Sequence, residues 1–387
     1  MNIIVDENIP YGADAFGTIG NVTTMSGRSM TAETVRDADA LIVRSVTKVN
    51  NKLLGDSRVR FVATATIGTD HIDTDYLAQR GIGFASAPGS NANSVAEYVT
   101  AAMLVLSRRK ATALAGKTIG VIGVGNVGSR VVKKAEALGM RVLQNDPPLK
   151  RKTGKDRFRP IEELFEADYI TLHVPLTQEG QDKTLHLADE AFIAKMKKES
   201  VLINSSRGAV VNGSELLRSI ESHHLGGVVL DVWEEEPAID PDLLRRVDLA
   251  SPHIAGYSFD GKVAGTRMVY ESACKFFREK PTWKPENVMP PSAVPTLNLY
   301  GHAINEEDLL LEAVKSVYDI EADDRRLRRL LDLAPDEQGP YFDRLRKEYP
   351  VRREFFNTEV NLTHRTPSAE AKLTGIGFKI GNCDAVQ

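Results

Sequence analysis

Cysteine is nearly missing from this chain: Cys274 and Cys383 are its only two, far apart, with no spacing suited to a metal site or a disulfide framework. That excludes a disulfide-stapled module, implies no metal, and points to a reducing, cytoplasmic setting. Long apolar runs are missing too. None approaches the roughly 18 residues of a membrane span, and MNIIVDENIP puts acids straight after a short apolar run, which does not read as a secretory signal. Nor is one sign of charge in excess. The balance of 49 Lys and Arg against 53 Asp and Glu leaves a net of −4, which argues against a general attraction to nucleic acid or to anionic membranes. There is no solenoid-period repeat and no low-complexity tract. What is present, 42% hydrophobic and 26% charged residues, is an ordinary globular composition. The 387 residues exceed what one core supports, roughly 250–300, so two or three domains are expected.

The first hundred residues alternate short apolar runs (NIIVDENIP, DALIVRSVT, RFVATATIG, GIGFASAP) with stretches able to form helices. This is the pattern of parallel strands joined by crossover helices. From Lys117 six sharper runs follow, TIGVIGVG, MRVLQND, ADYITLHVP, SVLINSSRG, GGVVLDVW and VDLASPHIAG, and predict a second, buried parallel sheet. Between the two, NSVAEYVTAAMLVLSRR predicts a long helix with a cap acceptor at Asn93 or Ser94, then Glu97. GKVAGTRMVYESACKFFREK predicts another helix, able to return to the first domain, and the proline-dense TWKPENVMPPSAVPT sets a boundary near residues 284–295. The tail beyond is rich in charge. Glu321 with Arg325, and Asp324 with Arg328, have i,i+4 spacing with the acid first, which makes RRLRR an ion-paired, solvated helix face rather than a nucleic-acid contact.

Gly123-Val124-Gly125-Asn126-Val127-Gly128 follows a predicted strand and opens a predicted helix. Gly123 suits the tight turn, Gly125 lets a pyrophosphate approach the backbone, and Gly128 allows close packing of helix on strand. The helix N-terminus offers free N–H groups and a favourable dipole. Asp146, just past the next strand, stands where a carboxylate receives ribose hydroxyls and repels a 2′-phosphate, which favours NAD over NADP. Lys150, Arg151 and Lys152 read as a solvated loop.

Three later segments carry a possible constellation: NSSRG with Arg207, DVWEEEP with Asp231 and Glu236, and SPHIAG with His253. Strand ends of an open parallel sheet face its ligand crevice. A hydroxyl that gives up a hydride must also lose a proton; histidine suits that task, a carboxylate can orient the imidazole, and an arginine can hold a substrate carboxylate. Each residue alone reads as ordinary surface or strand-end chemistry. Behind a dinucleotide fingerprint, together, they point to catalysis.

In this order, with HVPLT at 173–177 and NSSRGAVV, these motifs resemble the D-isomer-specific 2-hydroxyacid dehydrogenases, over residues 44–278 at first. VDENIPYGADAFG, LIVRSVTKVN, FVATATIGTDHID, SPHIAGYSFDGKVAGT and VRREF extend the likeness over nearly the whole chain, toward members acting on a 4-phosphorylated four-carbon 2-hydroxy acid. The resemblance implies a fold of two Rossmann- or flavodoxin-like doubly wound parallel-sheet domains with a C-terminal α+β dimerisation domain. Residues 1–95 with 258–284 would form a discontinuous substrate-binding lid, 96–257 the NAD-binding domain and 285–387 the pairing domain of a homodimer.

It also implies that Arg207, Glu236 and His253 are catalytic, that Ser45, Thr66 and Tyr257 contact substrate, and that Val174, Ser205, Ser206, Asp231 and Gly256 line the NAD site with the glycine turn. The turn TATIGTD could offer backbone N–H groups to a carboxylate, and Arg44 could help neutralise a phosphate; Lys48 reads as surface charge. Arg352 and Arg353 could complete a phosphate site, though a structural role is favoured. Asn212 stands where relatives usually carry aspartate, at a helix cap. Two rivals are a phosphoglycerate or glyoxylate/hydroxypyruvate type of the same family, and an NAD-sensing corepressor-like protein.

Overall fold

The computed structural model describes residues 1–299 and 305–381; Cys383 and the rest of the closing segment lie outside the described residues. The chain divides into two compact units, Met1–Asn91 with Ser258–Pro291, and Ala92–Tyr257 with Ser292–Gln387.

In the first unit, β1 (Asn2–Asp6), β2 (Asn21–Met25), β3 (Ala40–Val43), β4 (Phe61–Thr64) and β5 (Gly83–Ala85) form a parallel sheet of order β2-β1-β3-β4-β5. The runs ALIV and FVAT are buried throughout, as a strand covered on both faces requires. Alternation then sorts the side chains: Ile3, Val5, Ile42 and Phe61 join one cluster with Val269 and Tyr270 of the helix Phe259–Phe277, while Ile4, Leu41, Val43 and Val62 join another. That helix begins where Ser258 Oγ accepts the Gly261 amide at 2.9 Å. The edge strand β2 was not among the expected runs. Its sequence, NVTTM, has no apolar centre and no fully buried residue.

In the second unit, β6 (Thr118–Ile122), β7 (Arg141–Asn145), β8 (Tyr169–Leu172), β9 (Val201–Asn204), β10 (Gly227–Leu230) and β11 (Leu249–Ala250) realise all six expected runs, in the parallel order β11-β10-β9-β8-β6-β7. The long helix is Ala92–Lys110, buried over almost all its length. Asn93 and Ser94 lie within its first turn and do not cap it. Asn93 donates instead to Glu97 at 3.0 Å and to Glu354 at 2.6 Å, and Ser94 Oγ donates to the Ala255 carbonyl at 2.9 Å. Burial, then the neighbouring Glu354 charge, push the Glu97 carboxyl up to about 8 against the pull of Lys134 and Arg352, so it keeps a proton at neutral pH.

The tail adds a small parallel sheet, β12 (Thr296–Leu299), β13 (Glu359–Leu362) and β14 (Lys379–Ile380), with four helices of nine residues or more, Glu306–Val317, Ile320–Arg328, Pro335–Lys347 and Pro367–Ile376. Its apolar residues do not form a separate core. Leu309, Val314, Val360 and Leu373 share one cluster with Tyr98, Leu104, Ile119 and Val131, and Leu327, Leu330 and Phe342 share another with Leu244 and Val247.

The expected Asp324–Arg328 pair forms at 2.9 Å. Glu321 pairs instead with Arg109 and Lys315, and the exposed Arg325 with Asp319. Arg328 also donates to the carbonyls of Leu244 and Val247 at 2.7 and 2.6 Å, while Asp324 accepts the Ala250 amide of β11 at 2.8 Å. Two free carbonyls and an unpaired carboxylate would follow its loss. Arg328→Ala is therefore expected to lower stability by about 2–3 kcal/mol, read from urea unfolding; a change below about 0.5 kcal/mol would place this network on the inert surface.

Candidate active site

The carboxyl end of each strand in the six-stranded sheet leads into a segment holding a candidate residue. The glycine turn follows β6, Asp146 follows β7, and His173 with Val174 follow β8; Ser205, Ser206 and Arg207 follow β9, Asp231 follows β10, and His253 follows β11. Because β7 and β8 flank β6 on opposite sides, the chain reverses direction across the sheet there, and the glycine turn sits at that switch point.

Gly123 has φ +83°, and a Cβ on it would stand 2.5 Å from the His173 carbonyl oxygen. A Cβ on Gly128, the first residue of the helix Gly128–Ala137, would stand 1.9 Å from the Gly123 oxygen, whereas Gly125 faces open space. Asn126 and Val127 complete the turn; the Asn126 carbonyl accepts from Arg130 at 2.8 Å. A cavity of about 980 Å³ opens here, lined among others by Gly123, Gly125, Asp146, His173 and Val174. Bare backbone at Gly125, a helix N-terminus and a cavity of this size fit a nicotinamide dinucleotide.

The Asp146 carboxylate is fixed by the amides of Val124 and Leu149, at 2.8 and 2.9 Å, and keeps further acceptor directions for a ribose. The basic run beyond it forms the short helix Pro147–Thr153 rather than a loop, with Lys150 paired to Asp156 and Arg151 to Asp182. Desolvation pushes His173 down to about 3, so this buried ring is neutral; its Nε2 is 2.9 Å from Thr171 Oγ1.

His253 Nδ1 lies 2.7 Å from Glu236 Oε2, and Glu236 Oε1 accepts the Trp233 amide at 2.8 Å. Burial works to raise the Glu236 pKa, but the charge and hydrogen bond of His253, the Trp233 amide and the Arg346 charge together hold it below the usual range. Glu236 is thus ionised. It fixes the proton of His253 on Nδ1 and leaves Nε2 for a substrate; a third of the histidine side chain is exposed. The loop carrying it is shaped by Asp231, whose carboxylate accepts Ser251 Oγ at 2.6 Å, the Ile254 amide at 2.7 Å and the Ala255 amide at 3.0 Å. Gly256 and Tyr257 continue this loop. Arg207 Nη1 donates to the Ser206 carbonyl at 2.8 Å, and Ser206 Oγ to Asn204.

Ser45 and Thr66 belong to the other unit. There, Thr66 Oγ1 is 2.7 Å from Thr64 Oγ1 and donates to the Gly68 carbonyl, which fixes the TATIGTD turn. Arg44 lies 3.5 Å from the buried Asp6.

Arg352 and Arg353 both make contacts within the protein. Arg352 is buried, donating to Ser94 and to the Ala255 carbonyl with its guanidinium 4.1 Å from the Tyr318 ring centre, and Arg353 donates to Asn357. Asn212 caps its helix through the Glu215 amide. Sequence reasoning overlooked Arg346, because nothing local ties a tail-helix arginine to the Glu236 segment. For the glycine turn, Gly128→Ala is expected to abolish dinucleotide binding, measured by quenching of protein fluorescence; retained affinity would mean that helix and strand can part without loss of the site.

The family model of the D-isomer specific 2-hydroxyacid dehydrogenase NAD-binding domain matches residues 91–255, and a domain of unknown function matches 288–377. The erythronate-4-phosphate dehydrogenase of Edwardsiella ictaluri is 45% identical over 98% of this chain and 99% of its own length, and that of Salinibacter ruber 46% identical over 92% of each. Among solved structures, the D-lactate dehydrogenase of Aquifex aeolicus complexed with NAD and lactic acid superposes with a TM-score of 0.60 at 27% identity, covering 72% of this chain and 96% of that one. The chain belongs to the D-isomer-specific 2-hydroxyacid dehydrogenases, NAD-dependent oxidoreductases, and within them to the group of its erythronate-4-phosphate dehydrogenase relatives.

Proposed function

We propose that this chain oxidises 4-phospho-D-erythronate at its C2 hydroxyl to 2-oxo-3-hydroxy-4-phosphobutanoate, a step toward pyridoxal 5′-phosphate. The observation that carries this reading is the 2.7 Å His253–Glu236 pair, held on the same sheet edge as the glycine turn in a chain that aligns almost end to end with relatives named for that substrate. NAD, when bound, supplies the hydride acceptor. His253 Nε2 takes the hydroxyl proton as the C2–H bond breaks, and Glu236 holds the ring and balances the charge it gains. Arg207 binds the carboxylate and polarises the developing carbonyl oxygen.

Ser45, Thr66 and Tyr257 are assigned to substrate. The residues Gly123, Gly125, Asn126, Val127, Gly128, Asp146, Val174, Ser205, Ser206, Arg207, Asp231 and Gly256 are assigned to NAD. On this reading the lid is 1–95 with 258–284, the NAD domain is 96–257, and 285–387 pairs two cytoplasmic copies. The exposed apolar side chains of Val351 and Phe356, 61% and 43% accessible, support a pairing surface in the tail; sedimentation as a monomer at micromolar concentration would remove that part.

A panel of 2-hydroxy acids with and without a 4-phosphate tests the substrate. A preference in kcat/KM for 4-phosphoerythronate over erythronate of about a hundredfold or more is expected, since a built polar site rejects a ligand lacking its group; equal rates would sink the assignment. His253→Ala is expected to lower kcat by about 10²–10⁴ while NAD still binds. Loss of NAD binding would contradict the proton-transfer role.

A further inference from the structure

Tyr257, four residues past His253, is enclosed by the tail of its own chain. Tyr349 meets it edge-on, ring centres 5.9 Å apart at 85°. The Tyr349 hydroxyl in turn donates to the buried Asp323 carboxylate at 2.8 Å, and Tyr318 donates to the same carboxylate at 3.1 Å, so this ring is locked from behind. In the last turn of the helix Pro335–Lys347, just before Tyr349, Arg346 places its guanidinium carbon 6.0 Å from the Tyr257 ring centre and hydrogen-bonds the Tyr257 side chain. Its charge also reaches Glu236.

Arg346 keeps donor capacity beyond these contacts. Its Nε is buried with no hydrogen-bond partner, Asp343 stands 4.0 Å from Nη1, and a quarter of the side chain remains accessible. Glu236 acts on it through charge, while the two Glu236 oxygens accept from His253 and the Trp233 amide. A guanidinium has five donors in a rigid fork that matches a phosphate. Beside it stands a tyrosine hydroxyl, on the loop that carries the proton-transfer histidine.

We propose that Arg346, together with the Tyr257 hydroxyl, anchors the distal phosphate of the substrate; this rests on the function proposed above. The substrate then meets two arginines with separate tasks. Arg207 takes the carboxylate next to the reacting carbon, and Arg346, contributed by the tail, takes the far end. Specificity for a phosphorylated acid is in this way supplied by a segment outside the NAD-binding sheet.

The test measures kcat/KM for 4-phosphoerythronate and for erythronate, and the inhibition constant of inorganic phosphate competing with substrate, in wild type, Arg346→Gln and Arg346→Lys. The glutamine variant is expected to raise KM for 4-phosphoerythronate by about 10- to 100-fold, the worth of charge-assisted hydrogen bonds, to cut the preference over erythronate by a similar factor, and to weaken phosphate inhibition in parallel. The lysine variant, which keeps the charge and loses the fork, should fall between. Equal fractional losses on both acids, an unchanged phosphate inhibition constant, or no phosphate inhibition of the wild type would each overturn the anchor. If the glutamine variant does not fold, the lysine variant decides by the same ratios. A wild type with no preference for the phosphorylated acid would defeat the functional reading itself, whereas a wild-type preference with parallel losses in the variants defeats only the role of Arg346.

Discussion

Asp231 is 1% accessible; its carboxylate accepts Ser251 Oγ and the amides of Ile254 and Ala255, while its main-chain carbonyl accepts the His253 amide at 2.7 Å. These contacts bend the chain so tightly that His253 takes φ +57°, a left-handed conformation that costs a non-glycine residue about 1–2 kcal/mol. Burial also disfavours the charge of Asp231 and raises its pKa, against the pull of His253 and of the hydrogen bonds it accepts. The placing of His253, and with it the proton transfer proposed for that residue, thus depends on a carboxylate in an unfavourable place, kept there by several donors at once.

That carboxylate is connected outward through Ser251 to Tyr98 of the long helix. The tail supports the same loop from another direction, with Arg352 donating to the Ala255 carbonyl and Tyr349 against Tyr257. A loop carrying chemistry is ordinarily the loosest part of a fold. Here it is braced by a strand end, a core helix and the tail, all belonging to the same compact unit, which suits the role proposed for His253, since a base must be held to within a fraction of an ångström.

Most of this was legible in the sequence where one physical rule dominated. Most strands of the six-stranded sheet are buried and had to be apolar, so they stood out, and Gly123 and Gly128 stand where a side chain would collide with backbone, while Gly125 leaves bare backbone to the cavity. The His253–Glu236 pair could be anticipated because both follow strands of one sheet. Legibility failed where distant partners decided. Asn93 and Ser94 look like caps, yet Glu354 and Ala255 claim them; Glu321 has the spacing to pair with Arg325 and instead joins Arg109. β2 escaped notice because an edge strand need not be apolar, and Arg346 because its meeting with Tyr257 is created only by the fold.

The sharing of core clusters by Leu309, Val314, Leu373 and Phe342 with the sheet-bearing half has a consequence for how the chain is made. A ribosome releases residues in order, and domains fold as units once their pieces have emerged. The first unit has all its pieces when residue 291 clears the exit tunnel, although β6 to β11 have been synthesised by then. The tail residues that share a cluster with Tyr98 and Leu104 are synthesised after those strands. The half that holds the six-stranded sheet is therefore the one whose pieces are complete last.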